Sequence, residues 1–111
     1  MVKYRSRLQI VADMLSVVSG NDDTRKTRIM YFANLSWDLL NRYLNDLMEA
    51  GLVSLDSSGY YVLTSKGKLF LYRFSEYCKR SEEVEEHLND LEKERRNLEN
   101  MCLNAKEADE K

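Results

Sequence analysis

The residues of this chain with the most specific chemistry lie on one side of the stretch 36–50, at helical spacing. That side consists of Trp37, Asp38, Asn41, Arg42, Asn45 and Asp46. Asparagine and arginine side chains make paired hydrogen bonds with adenine and guanine edges in the major groove of DNA. The two aspartates would repel phosphate, and for polar residues taken alone a solvated helix face is the commoner explanation. The elements around this stretch must decide between the two interpretations.

The other side of the same stretch is apolar and predicts a helix that faces a core. Its members are Leu39, Leu40, Tyr43, Leu44, Leu47 and Met48. Ser36 is suited to cap the N-terminus of this helix, and Gly51 is suited to end it. The pattern therefore predicts a helix from Trp37 to Ala50.

A shorter helix is predicted before it, capped by Thr24 and ending near Ala33. Ile29, Phe32 and Ala33 are expected on its buried face. The connection to the next helix is Asn34-Leu35-Ser36. Its asparagine tolerates the left-handed conformation, and its leucine is expected in the core. Two helices joined by so short a turn form a helix-turn-helix.

The N-terminal segment predicts a support helix from Tyr4 to Val18, because apolar residues recur there at every fourth position. Ser6 is the expected N-cap, and the loop Gly20-Asn21-Asp22-Asp23 is expected to end the helix. Three cations cluster at the start of this segment, namely Lys3, Arg5 and Arg7. A solvated helix end and a phosphate contact explain this cluster equally well.

A β-hairpin is predicted directly after the 36–50 helix. Its strands are Leu52–Leu55 and Tyr60–Leu63, joined by the turn Asp56-Ser57-Ser58-Gly59. A hairpin in this position is the wing of a winged helix. Tyr60 and Tyr61 point to opposite faces of the hairpin, because neighbouring residues of a strand alternate. One of the two should therefore pack inward, and Tyr61 is the one expected to do so. The tip offers hydrogen-bond donors to phosphate, namely Ser57, Ser58 and Tyr60.

Thr64 is the expected cap of a very long helix that runs without a breaker to about Asn104. Two series at seven-residue spacing alternate along it as in a coiled-coil seam. The first series is Phe70, Tyr77, Val84, Leu91, Leu98 and Ala105, and the second is Phe74, Ser81, Leu88, Arg95 and Cys102. Phe70, Leu71 and Phe74 are expected to pack back on the preceding elements.

The later part of this seam favours a homodimer over the alternative of a solvent-exposed single helix, because nothing else in the chain is left to cover its leucines. The expected dimerisation residues are Tyr77, Val84, Leu88, Leu91, Arg95, Leu98 and Cys102. The flanking charges leave the direction of pairing open. A parallel pair brings Arg80 near Glu85 but also Glu94 near Glu99, whereas an antiparallel pair brings Glu85, Glu92 and Glu99 towards each other.

These elements together predict a mainly α (α+β) chain, a winged helix-turn-helix with a two-stranded wing and a long C-terminal helix. The expected domain organisation is a head over residues 1–68, a dimerisation helix over 69–105 and a frayed tail over 106–111. Residues 1–75 hold ten Lys/Arg and seven Asp/Glu, whereas residues 76–111 hold seven and twelve. A mildly basic head next to an acidic helix fits a head that meets phosphate.

Other kinds of site have little support in the sequence. Cys78 and Cys102 have no Cys or His neighbour at ligand spacing, and His87 lies on the flank of the seam. There is no phosphate-binding glycine loop and no nucleophile with a partner base. We therefore expect no enzyme, no metal and no cofactor. No apolar run approaches the roughly 18 residues of a membrane span, and a cytoplasmic protein is expected.

Several short motifs carry a further signal. They are Thr27-Arg28-Ile29-Met30-Tyr31, Ala33-Asn34-Leu35-Ser36, Arg42-Tyr43, Leu47-Met48, Tyr61, Leu63-Thr64 and Lys66-Gly67. In these motifs the chain resembles the small archaeal winged-helix DNA-binding proteins. The resemblance implies a dimer held by an antiparallel coiled coil of the C-terminal helices. Members of that family tend to be basic, and the net charge of −2 here favours a site-selective regulator over unspecific coating of DNA.

Two functions follow as hypotheses. The first is a homodimeric DNA-binding protein, an archaeal transcription regulator that reads the major groove of double-stranded DNA with the 36–50 helix. The residues expected to contact DNA are Thr27, Arg28, Ser36, Trp37, Asn41, Arg42, Asn45, Ser57, Ser58 and Tyr60. The alternative is a winged-helix module that binds protein without binding DNA, which the acidic total and Asp38 favour.

Overall fold

A computed structural model of the protein describes the backbone of residues 5–110 and the side chains of residues 5–103. Within that range four helices and two strands follow one another. They are α1 (Arg7–Gly20), α2 (Lys26–Phe32), α3 (Trp37–Glu49), β1 (Val53–Leu55), β2 (Tyr61–Leu63) and α4 (Ser65–Glu110). The chain comprises two compact units, Met1–Ser75 and Glu76–Lys111. The predicted fold class, a winged helix-turn-helix with a long C-terminal helix, is confirmed.

Helix α1 begins where the sequence predicts its cap. The Ser6 hydroxyl accepts a hydrogen bond from the Gln9 amide at 3.1 Å, and Met14 and Leu15 are fully buried. The helix continues to Gly20, past the predicted end at Val18, and Asn21 closes it. The predicted start at Tyr4 and the cation Lys3 lie outside the described residues.

The predicted cap of α2 is wrong. Thr24 is fully buried, its hydroxyl donates backward to the Asn21 carbonyl at 2.9 Å, and its own carbonyl accepts from the Tyr61 amide at 2.8 Å. A side chain used in this way cannot bond the first amides of a helix, so Arg25 occupies the N-cap position without a side-chain cap. Thr24 instead forms an isolated β-bridge with Tyr61.

Helix α2 also corrects the expected core. Ile29 and Ala33 are buried as predicted, but Phe32 is 61% exposed. Phe32 meets Tyr31 edge to face, with ring centroids 5.2 Å apart. The helix has only seven residues, and Ile29 and Ala33, four residues apart, define its buried side. Phe32 lies about 100° around the axis from Ala33 and points away from that side.

The turn and α3 form largely as predicted. Asn34 takes the left-handed conformation with φ of 55°, Leu35 joins the core, and the Ser36 hydroxyl caps α3 by accepting from the Leu39 amide at 3.2 Å. The buried side of α3 is narrower than expected. It consists of Leu40, Leu44 and Leu47, whereas Leu39 and Tyr43 are half-buried and Met48 is exposed.

The wing is a two-stranded antiparallel sheet in which Val53 pairs with Leu63 and Leu55 with Tyr61. Gly59 closes the turn with a positive φ of 83°. Tyr61 packs against the core as predicted, and this burial raises the pKa of its hydroxyl. Leu52 and Tyr60, predicted as strand ends, lie just outside the strands.

Helix α4 starts at its predicted cap, where the Thr64 hydroxyl accepts from the Gly67 amide at 3.1 Å. Phe70 and Leu71 pack against the core, and Phe74 stacks on Phe70 with ring centroids 6.2 Å apart. The helix extends to Glu110, beyond the predicted end near Asn104. The side chain of Ala105 and those of the tail over 106–111 lie outside the described side chains, and the domain boundaries proposed from the sequence stay predictions.

Candidate nucleic-acid interface

The outer face of α3 presents the residues that the sequence singles out. Leu40, Leu44 and Leu47 are buried on one side of the helix, and the opposite side is open to solvent. Arg42 and Asn45 are exposed there, and their side chains make no hydrogen bond or ion pair with any other residue of the described part of the chain. Their donors and acceptors are free to meet a ligand.

Asn41 behaves differently, because its amide is engaged at both ends. Its Oδ1 accepts a hydrogen bond from Lys26 Nζ at 3.0 Å, and its Nδ2 donates to the Trp37 carbonyl at 3.0 Å. Lys26 Nζ also lies 5.7 Å from the centroid of the Trp37 ring, within range of a cation–π attraction. A base contact by Asn41 would first have to break these bonds.

Lys26 is therefore a member of the site that the sequence did not identify. It sits at the start of α2 and reaches α3 across the helix-turn-helix, so its partner is 15 residues away. It also lines a shallow groove of about 230 Å³ together with Asn41, Leu44, Asn45, Met48 and Tyr61. The groove places a cation beside the outer face of α3, where a phosphate could pair with it.

The wing joins this region through a second cation. Arg25 Nη2 donates to the Tyr60 hydroxyl at 3.1 Å, and its guanidinium lies 5.0 Å from the centroid of the Tyr60 ring. The hydrogen bond with Tyr60 raises the pKa of Arg25. From the sequence, the Tyr60 hydroxyl is expected to donate to phosphate. In the structure this hydroxyl accepts a hydrogen bond from Arg25, which connects the wing to the start of α2.

The tip of the wing is built around a carboxylate. Asp56 Oδ1 accepts from the amides of Ser58 and Tyr60, each at 2.9 Å. Ser57 and Ser58 are exposed, and their hydroxyls remain available as donors to phosphate. The Asp56 charge beside them opposes such a contact, so the tip is a weaker candidate than the sequence suggests.

Thr27 and Arg28 occupy the exposed side of α2. Arg28 Nη1 donates to Asn21 Oδ1 at 2.9 Å, which directs one end of the guanidinium towards the loop before α2. Its other N–H groups are not used by that bond. Both residues stay candidates for phosphate contact, but neither touches the groove beside α3.

Arg5 has a structural role that the sequence left undecided. Its Nη1 meets Asp13 Oδ2 and the Ala33 carbonyl, both at 2.7 Å, and its Nη2 donates to the Asn34 carbonyl at 2.8 Å. The guanidinium therefore satisfies carbonyls at the end of α2, where no helical donor remains, and joins them to α1. These partners lie 28 and 29 residues away, so no local pattern reveals them.

Replacing Arg5 with alanine is expected to lower the free energy of unfolding by about 1–3 kcal/mol, because it removes the donor of the part-buried Ala33 carbonyl and the cation that pairs with Asp13. Arg7→Ala is the matched control, since Arg7 is exposed and carries the same charge. Thermal denaturation of both variants measures the difference. Equal losses of stability in the two variants would show that the positive charge matters and that the hydrogen bonds of Arg5 to the end of α2 do not.

The predicted dimerisation residues all lie on α4. Val84, Leu88, Leu91, Leu98 and Cys102 are exposed in the single chain, as is Tyr77. Arg95, in the same seam, forms ion pairs with Glu92 and Glu99 of its own helix, and this contact lowers the pKa of Glu92. An exposed apolar line with a neutralised cation is the surface that a coiled-coil partner would cover.

Two further kinds of feature, a metal-ligand cluster and a membrane-spanning helix, are absent from the described residues. Among them no group of three or more His, Cys, Asp or Glu side chains is placed to bind a metal. No helix in that range is long and apolar enough to cross a membrane.

The arrangement of three helices, a hairpin wing and an exposed third helix defines a winged helix-turn-helix. A family model with that description, winged helix-turn-helix, matches residues 4–82. The chain belongs to this family.

Two archaeal relatives from Methanocaldococcus jannaschii are similar in sequence. The uncharacterized protein MJ0290 is 35% identical over 72 residues, which are 65% of this chain and 33% of that protein. The uncharacterized protein MJ0287 is 31% identical over 64 residues, 58% of this chain and 64% of that protein. The matched part of this chain thus spans a third of one relative and just under two thirds of the other.

A solved structure shows the same fold over most of the chain. It is Sso10a-2, a DNA-binding protein from Sulfolobus solfataricus, with a TM-score of 0.70 and 23% sequence identity. The match covers 80% of this chain and 95% of that protein. Because it extends past the winged helix-turn-helix, it includes part of the long helix α4 as well.

Proposed function

We propose that the protein is a homodimeric DNA-binding protein, a transcription regulator that reads the major groove with α3. The observation that carries this proposal is the outer face of α3, where Arg42 and Asn45 are exposed and have no partner among the described residues. Recognition helices place such side chains against base edges. Sso10a-2, which shares the fold, is a DNA-binding protein, and this likeness supports the same proposal.

The contacts divide into two kinds in this proposal. Arg42 and Asn45 read base edges, while Lys26, Thr27 and Arg28 hold phosphate and fix the position of α3. Asn41 contributes indirectly, because its bond with Lys26 orients that cation. Ser36 and Trp37 complete the N-terminal end of α3, which enters the groove first.

Arg42→Ala is expected to weaken DNA binding by about 1–3 kcal/mol and to relax the base preference at one position, because a paired contact with a base is lost. Fluorescence anisotropy with duplexes selected from a random pool measures the affinity. Arg73→Ala is the matched control. Arg73 is an exposed cation of α4, and its replacement removes the same charge at a position far from α3 in sequence.

Salt dependence gives the second readout of the same experiment. A complex that depends on phosphate contacts loses affinity steeply as salt rises, and Lys26→Met should make this dependence shallower by about one counterion. If Arg42→Ala binds the selected duplexes as tightly as the Arg73→Ala control, α3 is not the reading helix.

The second candidate is a module that binds protein instead of DNA. Asp38 and Asp46 are exposed on the same face of α3, and Asp56 lies at the tip of the wing. These carboxylates oppose a phosphate backbone and would suit a basic partner. A protein that binds no selected duplex at low salt would favour this candidate.

The dimer in this proposal forms through α4, in an antiparallel coiled coil of two copies. The exposed leucines of α4 supply its apolar contacts. The protein is expected to act in the cytoplasm.

A further inference from the structure

Helix α2 carries two aromatic side chains that the fold leaves exposed to solvent. Tyr31 is 77% exposed and Phe32 is 61% exposed. Their rings meet edge to face, with centroids 5.2 Å apart and an angle of 89° between the ring planes. Single apolar residues on a surface are ordinary, whereas contiguous apolar patches are the ones associated with binding sites. Tyr31 and Phe32 form such a patch, which we call the ring pair.

The buried side of α2 determines where the ring pair points. Ile29 and Ala33 pack into the core, and Tyr31 lies two residues from each of them. At 3.6 residues per turn, this spacing turns Tyr31 about 160° away from both. The ring of Tyr31 therefore stands opposite the core, and Phe32 contacts it from one side.

Two polar residues share this side of the helix with the ring pair. Arg28 precedes Tyr31 by three residues and Thr27 precedes it by four, and residues at these spacings are neighbours on a helix surface. Both are exposed. The outer face of α2 thus consists of Thr27, Arg28, Tyr31 and Phe32.

The charge of this region is positive although the whole chain has a net charge of −2. Helix α2 contains Lys26 and Arg28 and no carboxylate, and Arg25 occupies its N-cap position. Asp22 and Asp23, in the loop before α2, offset part of this charge. Local positive charge on an acidic chain fits a polyanionic partner.

Cations beside exposed rings supply the two contacts that bind single-stranded nucleic acid. The cations pair with phosphate, and unpaired bases stack on the faces of the rings. In an edge-to-face pair each ring covers at most one face of the other, so the ring pair keeps faces open for a base. A duplex cannot use them, because its bases are stacked on one another.

A protein partner is the competing occupant, since tyrosine and arginine are also frequent at the centres of protein interfaces. The polar groups of the outer face of α2 favour the nucleic acid. Thr27, Arg28 and the Tyr31 hydroxyl all can donate hydrogen bonds, and no carboxylate lies among them. A surface of donors matches a row of phosphate oxygens, which only accept.

We infer that the outer face of α2 binds single-stranded DNA, with an unpaired base stacked on the ring of Tyr31 and backbone phosphate held by Arg28 and Thr27. The stacking surface is independent of the duplex contacts proposed for α3. The choice of DNA over RNA rests on the proposed function, which places DNA at the neighbouring helix of the same head.

Fluorescence anisotropy of a labelled oligothymidylate tests this inference with the full-length protein. Oligothymidylate does not pair with itself, so its binding reports unpaired bases alone. Tyr31→Ala is expected to weaken this binding at least about fivefold, which corresponds to the smallest usual contribution of one base stacked on a ring. Tyr72→Ala is the matched control, because Tyr72 is 65% exposed and belongs to α4.

Two further variants separate stacking from a simple apolar contact. Tyr31→Phe keeps the ring and should bind oligothymidylate like the native protein. Tyr31→Leu keeps an apolar side chain without a ring face and should lose as much affinity as Tyr31→Ala. Circular dichroism verifies that each variant is folded. If Tyr31→Leu binds as tightly as Tyr31→Phe, or Tyr31→Ala as tightly as Tyr72→Ala, no base stacks on this ring and the inference is overturned.

A duplex arm separates this inference from the proposed function. Tyr31→Ala is expected to bind the selected duplex as tightly as the native protein does, and equal losses for duplex and single strand would overturn a separate stacking surface. Native protein that binds the duplex but no oligothymidylate overturns the inference in favour of a protein partner and leaves the proposed function standing.

A second pair of probes tests the choice of polymer. Oligodeoxyuridylate and oligouridylate differ only in the 2′-hydroxyl group, so any difference in their binding reports the sugar. The DNA probe is expected to bind at least as tightly as the RNA probe. Tighter binding of oligouridylate overturns single-stranded DNA as the occupant.

Discussion

Replacing Gly67 with alanine is expected to lower the free energy of unfolding by about 1–3 kcal/mol, the usual cost of forcing extra volume into a packed site. A Cβ atom at Gly67 would lie less than 3.0 Å from the Leu52 carbonyl oxygen and 3.2 Å from a methyl group of Leu63. The closer neighbour is backbone and cannot rotate away. Relief therefore requires α4 to move away from the segment that leads into β1.

Thermal and urea denaturation of Gly67→Ala measure this cost. Gly20→Ala is the matched control, because it makes the same chemical change in a helix with no atom within 4 Å of the new Cβ. The control should be neutral or slightly more stable, since alanine favours a helix over glycine by up to about 1 kcal/mol. Equal denaturation midpoints in the two variants would mean that the start of α4 can move to accommodate the added Cβ atom without a loss of stability.

Replacing Leu91 with glutamine is expected to convert the proposed dimer into monomers. Burying one leucine contributes about 1.5–3 kcal/mol, and two-fold symmetry removes two of them at once. The loss of about 3–6 kcal/mol corresponds to a rise in the dissociation constant of at least about a hundredfold. Affinity for a DNA site with two half-sites should fall with it, because the two heads no longer bind as one molecule.

Analytical ultracentrifugation over a range of concentrations measures the first effect, and anisotropy with the selected duplex measures the second. Leu103→Gln is the matched control. Leu103 is 55% exposed and follows Cys102 at a position outside the two heptad series. If Leu91→Gln stays dimeric while DNA binding persists, the chains associate through another surface.

The sequence predicts most of this fold because its signals are local. Ser6, Ser36 and Thr64 each precede an apolar helical pattern, and each accepts a hydrogen bond from an amide three residues on. Asn34 takes the left-handed conformation that its position requires. Such signals depend on neighbours a few residues apart, and they can be read without knowing the tertiary structure.

The predictions that failed depend on distant contacts. Thr24 has the right side chain for a cap, but its backbone is held by Tyr61 on the far side of the wing. Phe32 fits the apolar pattern of α2, yet it is exposed, because the buried side of this short helix is formed by Ile29 and Ala33. Propensity gives way in both cases to packing that only the folded chain provides.

The candidate site follows the same division. The exposure of Arg42 and Asn45 follows from the periodicity of α3, and the structure places them as the pattern indicates. The bond from Lys26 to Asn41 joins two helices, and the pair of Arg25 with Tyr60 joins residues 35 apart. No spacing in the sequence encodes either contact, so neither cation could be assigned to the site from its pattern.

The bridge between Thr24 and Tyr61 also bears on how the protein avoids aggregation. A hairpin exposes unpaired amides and carbonyls along its outer strand, and these can recruit a strand from another molecule. The Tyr61 amide of β2 is already bonded to the Thr24 carbonyl, and each strand has only three residues. The bridge to Thr24 therefore closes part of the β2 edge, and the shortness of the strands leaves few groups with which a foreign strand could pair.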